Sequence, residues 1–136
     1  MASLDKGSLD KINMELYISL GYIPRDLETD STGIKYTTNA IQLSSSLLRR
    51  AKAIYFESGL QQLTGGTVNI RLYCRNEGAV KAYRTFTSAY HRNRTNDILN
   101  SLTAGHEVEA QFEVASAGGA GSVGGGCEPK LIIVLG

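Results

Sequence analysis

SSSLLRRAKAIYFESG, residues 44–59, decides how the middle of this chain is read. Leu47, Ala51, Ile54, Tyr55 and Ser58 fall on one face of a helix, while Arg49, Arg50 and Lys52 point mostly elsewhere. One of Ser44 to Ser46 is placed to cap its start and Gly59 to end it. The spacing predicts a helix.

Away from this stretch the period changes to two. Upstream, Met14, Leu16, Ile18 and Leu20 alternate with Glu15, Tyr17 and Ser19, and 34–38 reads as a second strand. Downstream, Val68, Ile70, Leu72 and Cys74 alternate with Asn69, Arg71, Tyr73 and Arg75, and RNEG (75–78) makes a turn. The partner strand, 79–88, sets the row Lys81, Tyr83, Thr85, Thr87 against Arg71 and Tyr73. A shorter helix carries Ile98, Leu99 and Leu102, with Thr95 or Asn93 as its cap and Gly105 near its end, before 106–114 returns to strand.

The order strand, strand, helix thus occurs twice. Tyr36-Thr37-Thr38 answers Phe86-Thr87-Ser88, and Leu63-Thr64-Gly65-Gly66 answers Leu102-Thr103-Ala104-Gly105. The predicted fold is α+β, an antiparallel sheet of about six strands with two helices on one face, built from a duplicated ββα unit. With 136 residues, 42% hydrophobic and 20% charged, the chain reads as one domain. Within it, 1–11 reads as a flexible N-terminus, 115–129 as a Gly-rich loop or tether and 130–136 as a terminal strand.

The net charge is +1, from 14 basic and 13 acidic side chains, so no global field draws the protein to nucleic acid or anionic lipid. The first residues lack the apolar core of a secretory signal, and no run has the roughly 18 apolar residues of a membrane span. The expected location is the cytoplasm or an intracellularly assembled particle. Cys74 and Cys127 do not make a disulfide framework, which favours a reduced compartment.

AGGAGSVGGGCEPKLIIVLG, residues 117–136, contains a glycine run but no phosphate cradle: Pro129 and a β-branched strand follow it, where a helix N-terminus would be required. The run reads as a mobile connection. The apolar strand after it expects burial on both faces, in its own sheet or in a neighbour's.

Catalytic parts are few. His91 and His106 lie in polar stretches at element boundaries, and Cys127 in a glycine tether lacks the rigid backing that orients attack. Asp26, Glu28 and Asp30 alternate as in a calcium loop, but Gly33 comes two places late and Thr37 stands where a bidentate glutamate is needed. No catalytic residue, metal or cofactor is predicted, and the protein is read as not an enzyme.

KAYRTFTSAYHRNR, residues 81–94, interleaves cations with aromatics, a composition that serves a protein interface or stacks bases. Phe86, Tyr90, Arg92, Leu102, Gly105 and Val108, together with LTGGTVNI at 63–70, fall at spacings that resemble the small phycobilisome-linker domain. The sequence departs from that family in lacking a proline before the tyrosine and in having Ala104 in place of a glycine. The resemblance implies a compact antiparallel sheet with a helix, organising stacked protein discs.

The function expected is a non-catalytic structural or assembly protein, a linker or a subunit of a larger particle such as a virion, binding protein partners or its own copies. Arg71, Tyr73, Lys81, Tyr83, Tyr90, Arg92 and Arg94 are the expected partner contacts. Lys130, Leu131, Ile132, Ile133, Val134 and Leu135 form the expected assembly strand. The alternative is an RNA- or single-strand-binding module using the same basic-aromatic stretch, and a salt titration separates the two.

Overall fold

A computed structural model describes residues 14–119 and 123–136, so the stretch 1–11 lies outside the described residues. Ser44 does cap a helix, its Oγ accepting from the Leu47 N–H at 3.1 Å, but that helix, α1 (Ser45–Arg50), ends after 6 residues. Ala51 turns the backbone to φ −75°, ψ 132°, and the chain runs on as β5 (Ala51–Leu60). The physical reason lies in Ile54 and Phe56, both fully buried. Two residues apart on a helix they would point to nearly opposite sides; on a strand they share one face and enter one core together. The second expected helix is likewise reduced to a 3-10 turn at Leu99–Ser101. Thr95 caps no helix there. Its Oγ1 accepts from the Phe56 N–H at 3.0 Å and ties the end of one strand to β5.

The remaining strands are β1 (Met14–Ser19), β2 (Leu27–Glu28), β3 (Gly33–Thr37), β4 (Ile41–Gln42), β6 (Gln62–Leu63), β7 (Thr67–Cys74), β8 (Ala79–Phe86), β9 (Tyr90–Arg94), β10 (Glu107–Ser116), β11 (Val123–Gly125) and β12 (Lys130–Leu135). One sheet has the order β1-β12-β5-β9 and a second β3-β10-β7-β8, with β4 also on β10; β2-β11-β6 forms a small third sheet. The α+β expectation is therefore corrected to an all-β architecture. The duplicated ββα unit is absent too, since β1 and β3 lie in different sheets while β7 and β8 form one hairpin.

The pairing has a simple logic. β1 with β12, β3 with β10, β5 with β9 and β7 with β8 are antiparallel pairs nested inside one another along the chain. Successive pairs alternate between the two sheets, and the ladder β5·β12 joins the two pairs of the first sheet as β7·β10 joins the two pairs of the second. A long hairpin rolled in this way is a double-sheet jelly roll.

Its core is the seam between the inner faces. Leu20, Ile54, Phe56, Leu131 and Ile133 come from the first sheet and its continuation, and Val68, Ile70, Leu72, Val108, Phe112 and Val114 from the second. Thr38 is buried there without an unmet group: its Oγ1 accepts from the Ala110 N–H at 2.8 Å and donates to the Ala110 carbonyl at 3.2 Å.

The glycine run is not a loose tether where it is described. Gly118 and Gly65–Gly66 pass so closely that a Cβ on Gly118 would meet the Gly65 backbone. β11 takes Gly124 and Gly125 into ladders with β2 and β6, and Ile23 bridges Cys127 beyond it. These glycines serve close backbone approach, which any side chain would block.

Candidate functional site

The basic-aromatic residues do not form one surface. Arg71, Tyr73, Lys81 and Tyr83 belong to the β7–β8 hairpin of the second sheet, with Arg71 opposite Tyr83. A bulge between Leu72 and Tyr73 sets Tyr73 opposite Val80. Tyr90, Arg92 and Arg94 stand on β9, in the other sheet. The chain crosses from one sheet to the other between Phe86 and Tyr90, and that crossing divides the stretch.

Most of these cations are neutralised within the chain. Arg71 donates to Gln111 Oε1 and to Glu113 Oε2, each at 2.9 Å, with its guanidinium 5.8 Å from the Tyr73 ring centroid. Lys81 pairs with Glu77 at 2.5 Å, and Arg75 pairs with Glu109. Arg94 reaches Glu57 at 3.2 Å and lies 5.3 Å from the Tyr55 centroid. A phosphate backbone would have to compete with these carboxylates for Arg71, Lys81 and Arg94.

The terminal strand is no free arm. Lys130, Leu131, Ile132, Ile133, Val134 and Leu135 run between β1 and β5 of the same chain, in the middle of the sheet. Leu131 and Ile133 face the core. Ile132, on the outer face, is also fully buried, flanked across the strands by Tyr17 and Tyr55. Burial on both faces is met inside one subunit.

A cleft of about 570 Å³ opens where β5, β9 and the end of the glycine run meet, lined by Arg25, Ser58, Tyr90, Arg92, Cys127 and Lys130 among others. Ser58 Oγ is buried there without a hydrogen-bond partner. Burial pushes the Cys127 thiol from an ordinary value near 9 up to about 12. A proton held that tightly makes a poor nucleophile. The raised value also carries a stability consequence: the contribution is complete below pH 9 and is lost as pH rises from 9 toward 12, because only the unfolded thiol ionises there. The full effect is roughly 4 kcal/mol. Urea midpoints measured from pH 8 to 11 should therefore fall more steeply for the native sequence than for Cys127→Ala. Parallel slopes would show that Cys127 is not desolvated.

A second cluster sits at the far end of β7. Cys74 Sγ lies 3.7 Å from His106 Nδ1, and Glu77 Oε2 lies 3.1 Å from the same nitrogen. Hydrogen bonds from Lys81, Cys74 and His106 hold the Glu77 carboxyl down at about 2. A catalytic triad needs the nucleophile and the orienting carboxylate on different ring nitrogens, and it needs an accessible nucleophile. Here both converge on Nδ1, and Cys74 is 1% exposed. Among the described residues this is the one place where three metal-ligating side chains meet, all within 4.8 Å. Asp26, Glu28 and Asp30 form no such group. The sequence reading missed the cluster because its members are up to 32 positions apart; the signal lay in Cys74 closing one alternating strand and His106 opening another.

No protein-family model matches the sequence, and no curated protein matches it significantly. Nothing in these comparisons supports a phycobilisome-linker role. Among solved structures, the chain is similar to the VP2 subviral particle of infectious bursal disease virus, at 10% identity and a TM-score of 0.48, over 92% of this chain and 33% of that one. It is also similar to that virus's Gx strain structure, at 13% identity and a TM-score of 0.41, over 99% of this chain and 36% of that one. The chain spans about a third of the length of the solved chains it matches. Each is a likeness of fold. No helix among the described residues is long and apolar enough to cross a membrane.

Proposed function

We propose that the protein is a structural assembly subunit, a jelly-roll domain that packs against further copies of itself along the open edge of β1. The observation that carries the reading is the character of that edge. Among the described residues β1 has a strand partner on one side alone, β12. It presents Met14 at 61%, Leu16 at 39% and Tyr17 at 60% exposure. An edge strand that must stay alone is protected by proline, inward charge, bulges or a covering element. β1 has one charged residue, Glu15, and its ladder runs without a register shift.

The strand is also self-complementary. A two-fold antiparallel pairing centred on Leu16 or on Tyr17 sets Glu15 opposite Tyr17 or Ser19 of the second copy, never opposite its own counterpart. Like charges are thus kept apart. The outer face of the second sheet, laced by Arg71–Glu113 and Arg75–Glu109, has its charges satisfied at home and suits solvent. Of the expected contacts, Tyr83 remains the most exposed aromatic on that second sheet, at 57%, and is assigned a secondary role.

The test is the paired substitution Met14→Lys with Tyr17→Lys. Both side chains are largely exposed, although Tyr17 flanks Ile132, so circular dichroism first checks that the fold is kept; self-association measured by light scattering should then weaken at least about tenfold, or 1.4 kcal/mol. Ile34→Lys, an equally drastic change at an exposed position in the second sheet, should leave association unchanged. Equal behaviour of all three proteins would overturn the β1 reading.

A further inference from the structure

We propose that Cys74, Glu77 and His106 form a binding site for a divalent cation of borderline softness, zinc above all, at the end of the jelly roll where the β7–β8 turn meets the start of β10. Tetrahedral zinc takes sulfur at about 2.3 Å and nitrogen and oxygen at about 2.0–2.2 Å, which separates the ligand atoms by roughly 3.2–3.6 Å. The sulfur–nitrogen and nitrogen–oxygen separations here are 3.7 and 3.1 Å, so a metal enters with small side-chain adjustments. The donor set selects the metal. A thiolate and an imidazole do not suit magnesium or calcium, which take oxygen.

The backbone holds the donors in place before any metal arrives. Cys74 is opposite Val108 in the β7·β10 ladder, the Arg75 N–H donates to the Glu107 carbonyl at 3.0 Å, and Asn76 Oδ1 accepts from the Glu107 N–H at 2.7 Å. Both elements that supply ligands are therefore joined directly beside the site. Lys81 holds the other Glu77 oxygen, Oε1, and leaves Oε2 directed at His106. Metal binding displaces the Cys74 thiol proton and the hydrogen that His106 Nδ1 shares with Glu77, and a thiolate and a carboxylate then bring two negative charges to the cation. The Glu77 and His106 side chains are each 30% exposed, which gives the ion its way in and leaves the fourth position to solvent.

The test uses the full chain, with cobalt(II) as a spectroscopic stand-in and zinc chloride alone as the ligand. Cobalt should produce a saturable thiolate-to-metal charge-transfer band at one equivalent, and zinc should abolish that band and raise the melting temperature. Cys74→Ser should lose the band. His106→Gln and Glu77→Gln, at partly exposed positions that keep the fold, should each weaken binding at least tenfold, while Cys127→Ala should bind as the native protein does. No band and no thermal shift at millimolar metal would overturn the site. So would full binding by His106→Gln, or loss of binding in Cys127→Ala.

Discussion

Removal of residues 130–136 is expected to leave no folded protein, rather than a folded subunit that has lost an arm. β12 is bonded on both sides, to β1 and to β5, and its loss takes two ladders from the middle of one sheet. Leu131, Ile132 and Ile133 have no exposed surface at all. Burial of side chains of this size contributes about 1.5–3 kcal/mol each. Three of them together contribute about 4.5–9 kcal/mol, comparable with the lower half of the 5–15 kcal/mol stability of an ordinary domain, before the broken ladders are counted. Circular dichroism and limited proteolysis decide it. A truncated chain with native near-ultraviolet signal and protease resistance would restore the reading of β12 as an exchangeable arm.

The second large effect belongs to Gly125→Val. Gly125 has φ +118°, and a Cβ there would be driven into the carbonyl oxygen of Pro24. A non-glycine residue in such a conformation costs about 1–3 kcal/mol, and forcing atoms into a packed site costs a similar amount again. The expected loss is about 2–6 kcal/mol. Gly33→Val separates the two causes. Gly33 has φ +121°, yet nothing lies within 4 Å of the Cβ it would gain, so only the conformational part remains. Urea denaturation of both variants should place Gly125→Val well below Gly33→Val. Equal midpoints would mean that the glycine run does not press against the 23–25 segment.

What could be read in the sequence followed from which strands keep one face dry. β7 alternates half-buried and buried residues along its whole length, and its hairpin with β8 was legible as one row of side chains against another, while the register, Arg71 opposite Tyr83 and Tyr73 shifted to Val80 by a bulge, was not. β1 and β10 were also read as strands, although β1 is exposed along most of its length and β10 is buried on both faces. β5 was not. Ala51, Ile54, Tyr55 and Ser58 lie at helical spacing by coincidence, and the ladders on either side that make the segment a strand are formed with residues far away in sequence. The apolar run of β12 correctly announced burial on both faces, but no local pattern says whose sheet a strand joins. The glycine run looked flexible because glycine permits both mobility and close contact; only the neighbouring backbone distinguishes them. The candidate site was the least legible part. The basic-aromatic stretch is continuous in sequence and divided in space, whereas Cys74, Glu77 and His106 are scattered in sequence and brought together by the β7·β10 register.

The proposed assembly role requires the jelly roll to associate with its own kind. Sedimentation velocity of the unmodified chain, run from low to high micromolar concentration, tests that most directly. The prediction is a concentration-dependent species heavier than the 14.7 kDa monomer, and its loss in the Met14→Lys, Tyr17→Lys protein. A single monomeric boundary at every concentration would contradict the assembly role.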